Sequence, residues 1–183
     1  MRKQKTANAV PTPWHVPVAL EEIAETGRHF DLLADEAVRE AVARVAELRD
    51  LPRFEAHFDV TRRGAGGLHV AGRVSATVGQ NCVVTLDPLT NEVAEKVDLV
   101  FLPQEHPMRP AGYDDENDKE PYEVKWNDPE PLVGSGVDLG AIAIEFLILG
   151  LDPYPRKADA VFDPPSDAPS EESPFAALGR LKG

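Results

Sequence analysis

Hydrophobic and polar positions alternate with period two over two adjacent stretches of the chain. Phe54, Ala56, Phe58 and Val60 alternate with Glu55, His57, Asp59 and Thr61. Leu68, Val70, Gly72, Val74, Ala76 and Val78 alternate with His69, Ala71, Arg73, Ser75 and Thr77. Period two marks a strand with one buried face, and the intervening Arg63-Gly-Ala-Gly-Gly supplies turn residues, so residues 54–78 predict a long hairpin. A third apolar stretch opens at Cys82-Val-Val-Thr-Leu, Asp87 to Asn91 reads as a turn, and Glu92 to Leu102 predicts a further strand burying Val93, Val97, Leu99 and Phe101. Earlier, Trp14 to Ala19 reads as extended, Val18 to Ile23 as a short turn or helix ended by Thr26-Gly27, and Phe30 to Leu33 as a strand.

The pattern changes to helical spacing twice. Asp35 can cap a helix whose apolar face carries Val38, Val42, Val45 and Leu48, with Pro52 as its stop. Asp138 can cap a second helix running to about Leu149, closed by Gly150, Pro153 and Pro155. Its apolar run, Leu139 to Leu151, is shorter than the roughly 20 residues a membrane span needs and contains Glu145, so it reads as a buried helix. The expected fold is α+β: an antiparallel sheet of four to six strands, flat or curled into an open barrel, with two main helices.

Composition sets the limits of that domain. The 17 prolines among 183 residues cluster between Pro103 and Pro131 and between Pro153 and Pro174. The expected organisation is a polar leader at 1–11 and a single domain at 12–157 containing an acidic, Pro-rich connector at 104–131. A largely disordered tail at 158–183 follows, ending in the amphipathic Pro174 to Leu181; Tyr122 to Trp126 inside the connector reads as a short strand. Net charge is −13. Residues 1–103 hold 12 Lys and Arg against 15 Asp and Glu, and residues 104–183 hold 7 against 17. A bulk basic surface for nucleic acid is therefore absent, and an acidic chain suits a basic protein partner. One cysteine permits no disulfide framework, and no apolar segment follows the basic N-terminus, so the expected location is cytoplasmic.

Candidate chemistry is sparse. Cys82 has no imidazole at a telling spacing among histidines 15, 29, 57, 69 and 106, so a structural thiol is favoured over a nucleophile or ligand. Asp114, Asp115, Glu116 and Asp118 lack the spacing and central glycine of a calcium loop. Gly64-Ala-Gly-Gly lacks the Lys-Ser/Thr and helix of a phosphate loop. Asp138, Glu145 and Asp152, seven residues apart, lie near one helix face and read as a solvated or partner-facing stripe. Arg62, Arg63 and Arg73 form the best local basic patch, with Arg49 and Arg53 at the hairpin base; RNA phosphates could meet it, although no aromatic residues interleave for base stacking. No metal site, cofactor, membrane contact or small-molecule substrate is expected, and the chain is expected not to be an enzyme.

The order of motifs resembles the YceD family of bacterial large-ribosomal-RNA-accumulation proteins. Its Cys-x-x-Cys-Leu-x-Pro segment reads here Cys82-Val83-Val84-Thr85-Leu86-Asp87-Pro88, followed by the strand at 93–102, the Asp138-Leu139 helix opening, Glu145, Leu-Asp-Pro-Tyr-Pro-Arg at 151–156, and the closing Pro174-Phe-Ala-Ala-Leu-Gly-Arg-Leu-Lys. The likeness runs over roughly residues 14–182. Thr85 stands where the family carries its second cysteine, so a metal site built on paired cysteines is ruled out here. The resemblance implies a role in large-subunit ribosomal RNA accumulation or ribosome assembly, with large-subunit RNA or a basic ribosomal protein as partner; relatives are commonly encoded beside a gene for a large-subunit ribosomal protein. The alternative is an acidic interaction module that holds a basic partner outside ribosome biogenesis.

Overall fold

A computed structural model describes residues 12–64, 66–103, 129–132 and 134–162. Over these residues the chain is α+β. Its strands and helices follow the order β1 (Pro17–Ala19), a 3-10 turn (Leu20–Glu22), β2 (Arg28–Leu33), α1 (Glu36–Val45), β3 (Asp50–Arg63), β4 (Gly67–Asn81), β5 (Pro88–Pro103), β6 (Glu130–Leu132), β7 (Gly136–Asp138) and α2 (Leu139–Leu149). Five strands make one sheet in the order β2-β3-β4-β5-β6, and β1 pairs with β7 in a separate two-stranded ribbon.

The long hairpin forms as the alternation predicts, with Phe58 opposite Gly72 and Val60 opposite Val70. Gly64 and Gly66 at its tip adopt positive φ, which turns the chain back at little steric cost. β4 pairs with β5 from Leu68–Phe101 to Asn81–Pro88. The sheet is mixed rather than antiparallel throughout, because β6 runs parallel to β5. Its end strands, β2 and β6, do not pair with each other, so no barrel closes among the described residues.

Side-chain parity divides the sheet into two faces. Phe54, Phe58, Val60, Leu68, Val70, Val74, Val78 and Val97 turn inward and are fully buried. Both helices cover that face. α2 contributes Leu139, Ile142, Ala143, Ile144 and Leu147, and Trp14 meets the edge of Phe54 with ring centroids 5.0 Å apart. Residues of the other parity face solvent, and that outer face is central to the candidate sites.

Three local expectations need correction. α1 ends at Val45, well before Pro52, because Glu47 adopts φ 54° and the Leu48 N–H donates back to the Ala43 carbonyl, a left-handed helix stop. Val45 is 54% exposed, while Val42 and Ala43 are the buried residues of that helix. Cys82 to Asp87 is a turn rather than the start of a strand, and Pro88 to Asn91, expected as a turn, already belongs to β5. β6 begins inside the stretch assigned to the connector and ends one residue beyond it. The leader at 1–11, the possible strand at 122–126, the acidic run at 114–118 and the amphipathic end at 174–181 lie outside the described residues.

Candidate functional site

The Cys82 turn connects β4 to β5. Its ends are pinned by two backbone bonds: the Cys82 N–H donates to the Asp87 carbonyl at 2.8 Å, and the Leu86 N–H to the Cys82 carbonyl at 2.9 Å. The sulfur is out of contact with solvent, yet it is not part of the main core cluster. It sits beneath the turn and accepts from the backbone N–H groups of Val84 at 3.4 Å and of Thr85 and Lys157 at 3.5 Å. Donation from Lys157, then from Thr85, stabilises the thiolate and outweighs the cost of its burial, lowering the Cys82 pKa to about 6. No described imidazole bonds it. The segment after α2 is therefore tied to this turn, and two more contacts reinforce the join: the Val83 N–H donates to the Pro155 carbonyl at 2.9 Å, and Lys157 pairs with Asp87 at 3.3 Å.

Thr85, at the place of the family's second cysteine, accepts the Asp87 N–H at 3.4 Å through its hydroxyl. Leu86 adopts φ 62° and is 75% exposed, an unusual posture for a bulky apolar residue. Pro88 opens β5 at the position opposite Asn81, where a missing N–H is tolerated.

The three arginines of the basic patch do not share one surface. Arg62 has the inward parity, and its Nε donates to the Ile23 carbonyl at 2.6 Å, clamping the 3-10 turn to the hairpin. Arg63 and Arg73 are exposed and lie on the outer face, but Arg73 stands opposite His57, six residues from Arg63 along β3. At about 3.4 Å per residue, roughly 20 Å of strand separates them. Arg53 on the same face pairs with Glu55 and with Glu92, the latter at 2.9 Å.

The acidic stripe is also divided. Asp138 caps α2 by accepting from Gly140 and Ala141, and it also holds the His15 ring at 2.7 Å and the Val16 N–H at 2.9 Å. Burial disfavours its charge, but those donors prevail and hold its carboxyl below the ordinary value. Glu145 is exposed and borders an open groove with Val18, Phe101, Pro131 and Ile142. Asp152 caps the turn after α2 by accepting the Tyr154 N–H at 2.9 Å, while its carbonyl accepts from Gln80.

One cluster escaped the sequence reading. His29-Phe30-Asp31 on β2 and His57-Phe58-Asp59 on β3 are the same tripeptide, and antiparallel register sets His29 opposite Asp59 and Asp31 opposite His57. Phe30 and Phe58 turn inward together, so the four polar side chains turn outward together. The His57 Nδ1 lies 2.5 Å and the His29 Nε2 3.0 Å from the same Asp31 oxygen, and the His29 Nδ1 lies 2.7 Å from Asp59. The contacts with Asp59 and then Asp31 raise the His29 pKa. The repeated tripeptide was visible in the sequence, but the pairing register that joins its two copies was not.

A strand-rich core with one sheet face covered by helices, and a cysteine turn locked to the segment after α2, defines an α+β domain over the described residues. The family model described as "Large ribosomal RNA subunit accumulation protein YceD" matches residues 70–182, more than half the chain, and the chain belongs to that family. The match begins within β4, later than the residue-14 start suggested by the motifs, and it includes the Cys82 turn and α2. No curated protein and no solved structure matches the chain.

Proposed function

We propose that the protein is a non-catalytic factor that supports large-subunit ribosomal RNA accumulation and ribosome assembly in the bacterial cytoplasm. The observation that carries this reading is the family match over 70–182. A ribosomal protein is the better-supported direct partner. The chain carries net charge −13, and the cations of the outer face stand among Glu55, Asp59, Glu92 and Asp98, which weakens attraction to RNA phosphates. Basic ribosomal proteins present the complementary sign and need shielding before they meet RNA. Exposed Leu86, held in a left-handed conformation on the family's own motif, is a natural apolar contact for such a partner.

Direct RNA contact is the second reading, favoured by exposed Arg63 and Arg73. The discriminating experiment is crosslinking and immunoprecipitation of the tagged protein from growing cells, with RNA sequencing and protein identification from one sample. Ribosomal proteins recovered without crosslinked RNA, and lost in Leu86→Glu, support the escort role. Large-subunit RNA whose recovery is lost in Arg63→Glu/Arg73→Glu supports the RNA reading. Recovery of neither overturns both and favours an interaction module outside ribosome biogenesis.

A further inference from the structure

The two His-Phe-Asp tripeptides face each other on the open side of the sheet, outside the segment that matches the family. We propose that they form a binding site for a divalent transition-metal ion of the zinc type, with His29, His57 and Asp31 as ligands and Asp59 as the carboxylate that orients His29.

Ligand placement is the first support. One atom each from His29, Asp31 and His57 can be chosen so that all three lie within 4.8 Å of one another. Nitrogen and oxygen ligands about 2.0–2.2 Å from a tetrahedral ion lie roughly 3.3 Å apart, so the side chains need only small rotations to accept one. The His29 and His57 side chains are 52% and 50% exposed, which leaves room both for that adjustment and for water at the remaining coordination position.

The placement of the carboxylates is the second support. His29 faces a carboxylate oxygen with each ring nitrogen, Asp59 through Nδ1 and Asp31 through Nε2. The same Asp31 oxygen also faces the His57 Nδ1. The two imidazoles and the Asp31 carboxylate therefore converge on one small space, and Asp59 backs the far ring nitrogen of His29. A divalent ion fits at the Asp31 end while Asp59 accepts from the His29 Nδ1–H, the carboxylate–histidine–metal arrangement that fixes the ligating tautomer. Two imidazoles select zinc, cobalt, nickel or copper over magnesium and calcium, which prefer all-oxygen shells.

The ordinary alternative is a set of exposed ion pairs, which contribute little by themselves. The two readings separate by calorimetric titration of Zn2+ into the full chain free of any polyhistidine tag, with Co2+ visible absorption as the coordination signature. The expected result is one saturable site with a tetrahedral or five-coordinate Co2+ band. His57→Gln and Asp31→Asn should each weaken binding by about tenfold or more, and Asp59→Asn by roughly 10- to 100-fold. His69→Gln, on the same face but paired with Asp98 at 2.8 Å, should leave binding unchanged. Absence of saturable binding, or binding that survives both His57→Gln and Asp31→Asn, overturns the proposal. Neither result bears on the ribosomal reading, which rests on residues 70–182.

Discussion

Asp138 joins two distant parts of the chain through one carboxylate, accepting from the first turn of α2 while holding His15 and the Val16 N–H. Asp138→Ala removes a helix cap and leaves the Val16 donor without its partner, so a loss of about 2 kcal/mol is expected in urea unfolding. Because folding lowers this carboxyl from its ordinary 3.8, its contribution is present above that pH and disappears as pH falls through the lower folded value. The stability gap between wild type and Asp138→Asn should therefore narrow below pH 3.8. Cys82 titrates in a different window. Its pKa falls from an ordinary 9.0 to about 6, so thiolate stabilisation is complete above pH 9 and gone below about 6. Unfolding midpoints of wild type and Cys82→Ser should separate progressively as pH rises through that interval; a constant difference would contradict thiolate formation. The capping role of Asp138 was legible from its place before an apolar run. The threefold N–H cradle of Cys82 was not, because Lys157 reaches it from 75 residues away.

At the scale of elements, alternation carried the prediction well wherever one face is buried and the other wet. β3, β4 and the greater part of β5 follow from their parity alone. Boundaries were harder, since they depend on backbone conformation that side-chain chemistry does not announce. Glu47 and Leu86 both adopt positive φ without being glycine, so neither the end of α1 nor the turn before β5 carried the usual marker. The parallel pairing of β6 depends on a long-range contact that a three-residue strand cannot encode. Gly72 shows how tightly the hairpin is built. It lies between Phe58 and Val97, and a Cβ there would come within 2.0 Å of the His57 carbonyl oxygen and 2.9 Å of the Phe58 ring. Gly72→Ala is expected to destabilise the protein by about 3 kcal/mol, measured by thermal or urea unfolding, because rigid backbone must move. Substituting Ala71, its neighbour on the outer face, with Thr should change stability by no more than about 0.5 kcal/mol.

For the whole molecule, the pairing of Phe101 with Glu130 fixes the two ends of the intervening segment as neighbours on adjacent strands, about 5 Å apart. Loop-closure entropy changes by only about 0.6 kcal/mol for each doubling of length. If loop closure were that segment's whole contribution, replacing residues 106–127 with a short Gly/Ser linker would shift unfolding by about 1 kcal/mol or less, and a larger shift in urea unfolding would show that the segment packs on the domain. The same deletion separates the functional readings: loss of binding to a basic partner would place recognition in that acidic segment, whereas retained ribosomal-protein capture would place it on the folded domain. Family membership was legible in the order of motifs, while the His-Phe-Asp cluster required the strand register.

The sheet face that no helix covers among the described residues has a consequence for how such a protein can change through evolution. Along β3 and β4, alternate residues answer to different constraints: the inward set must fit Phe58 and its neighbours, while the outward set is covered by no helix among the described residues. Mutations on the outward set can therefore accumulate, be tested and be discarded without passing through an unfolded ancestor. A lineage can trade one surface chemistry for another on an unchanged frame, provided no single-residue insertion within a strand exchanges the two sets.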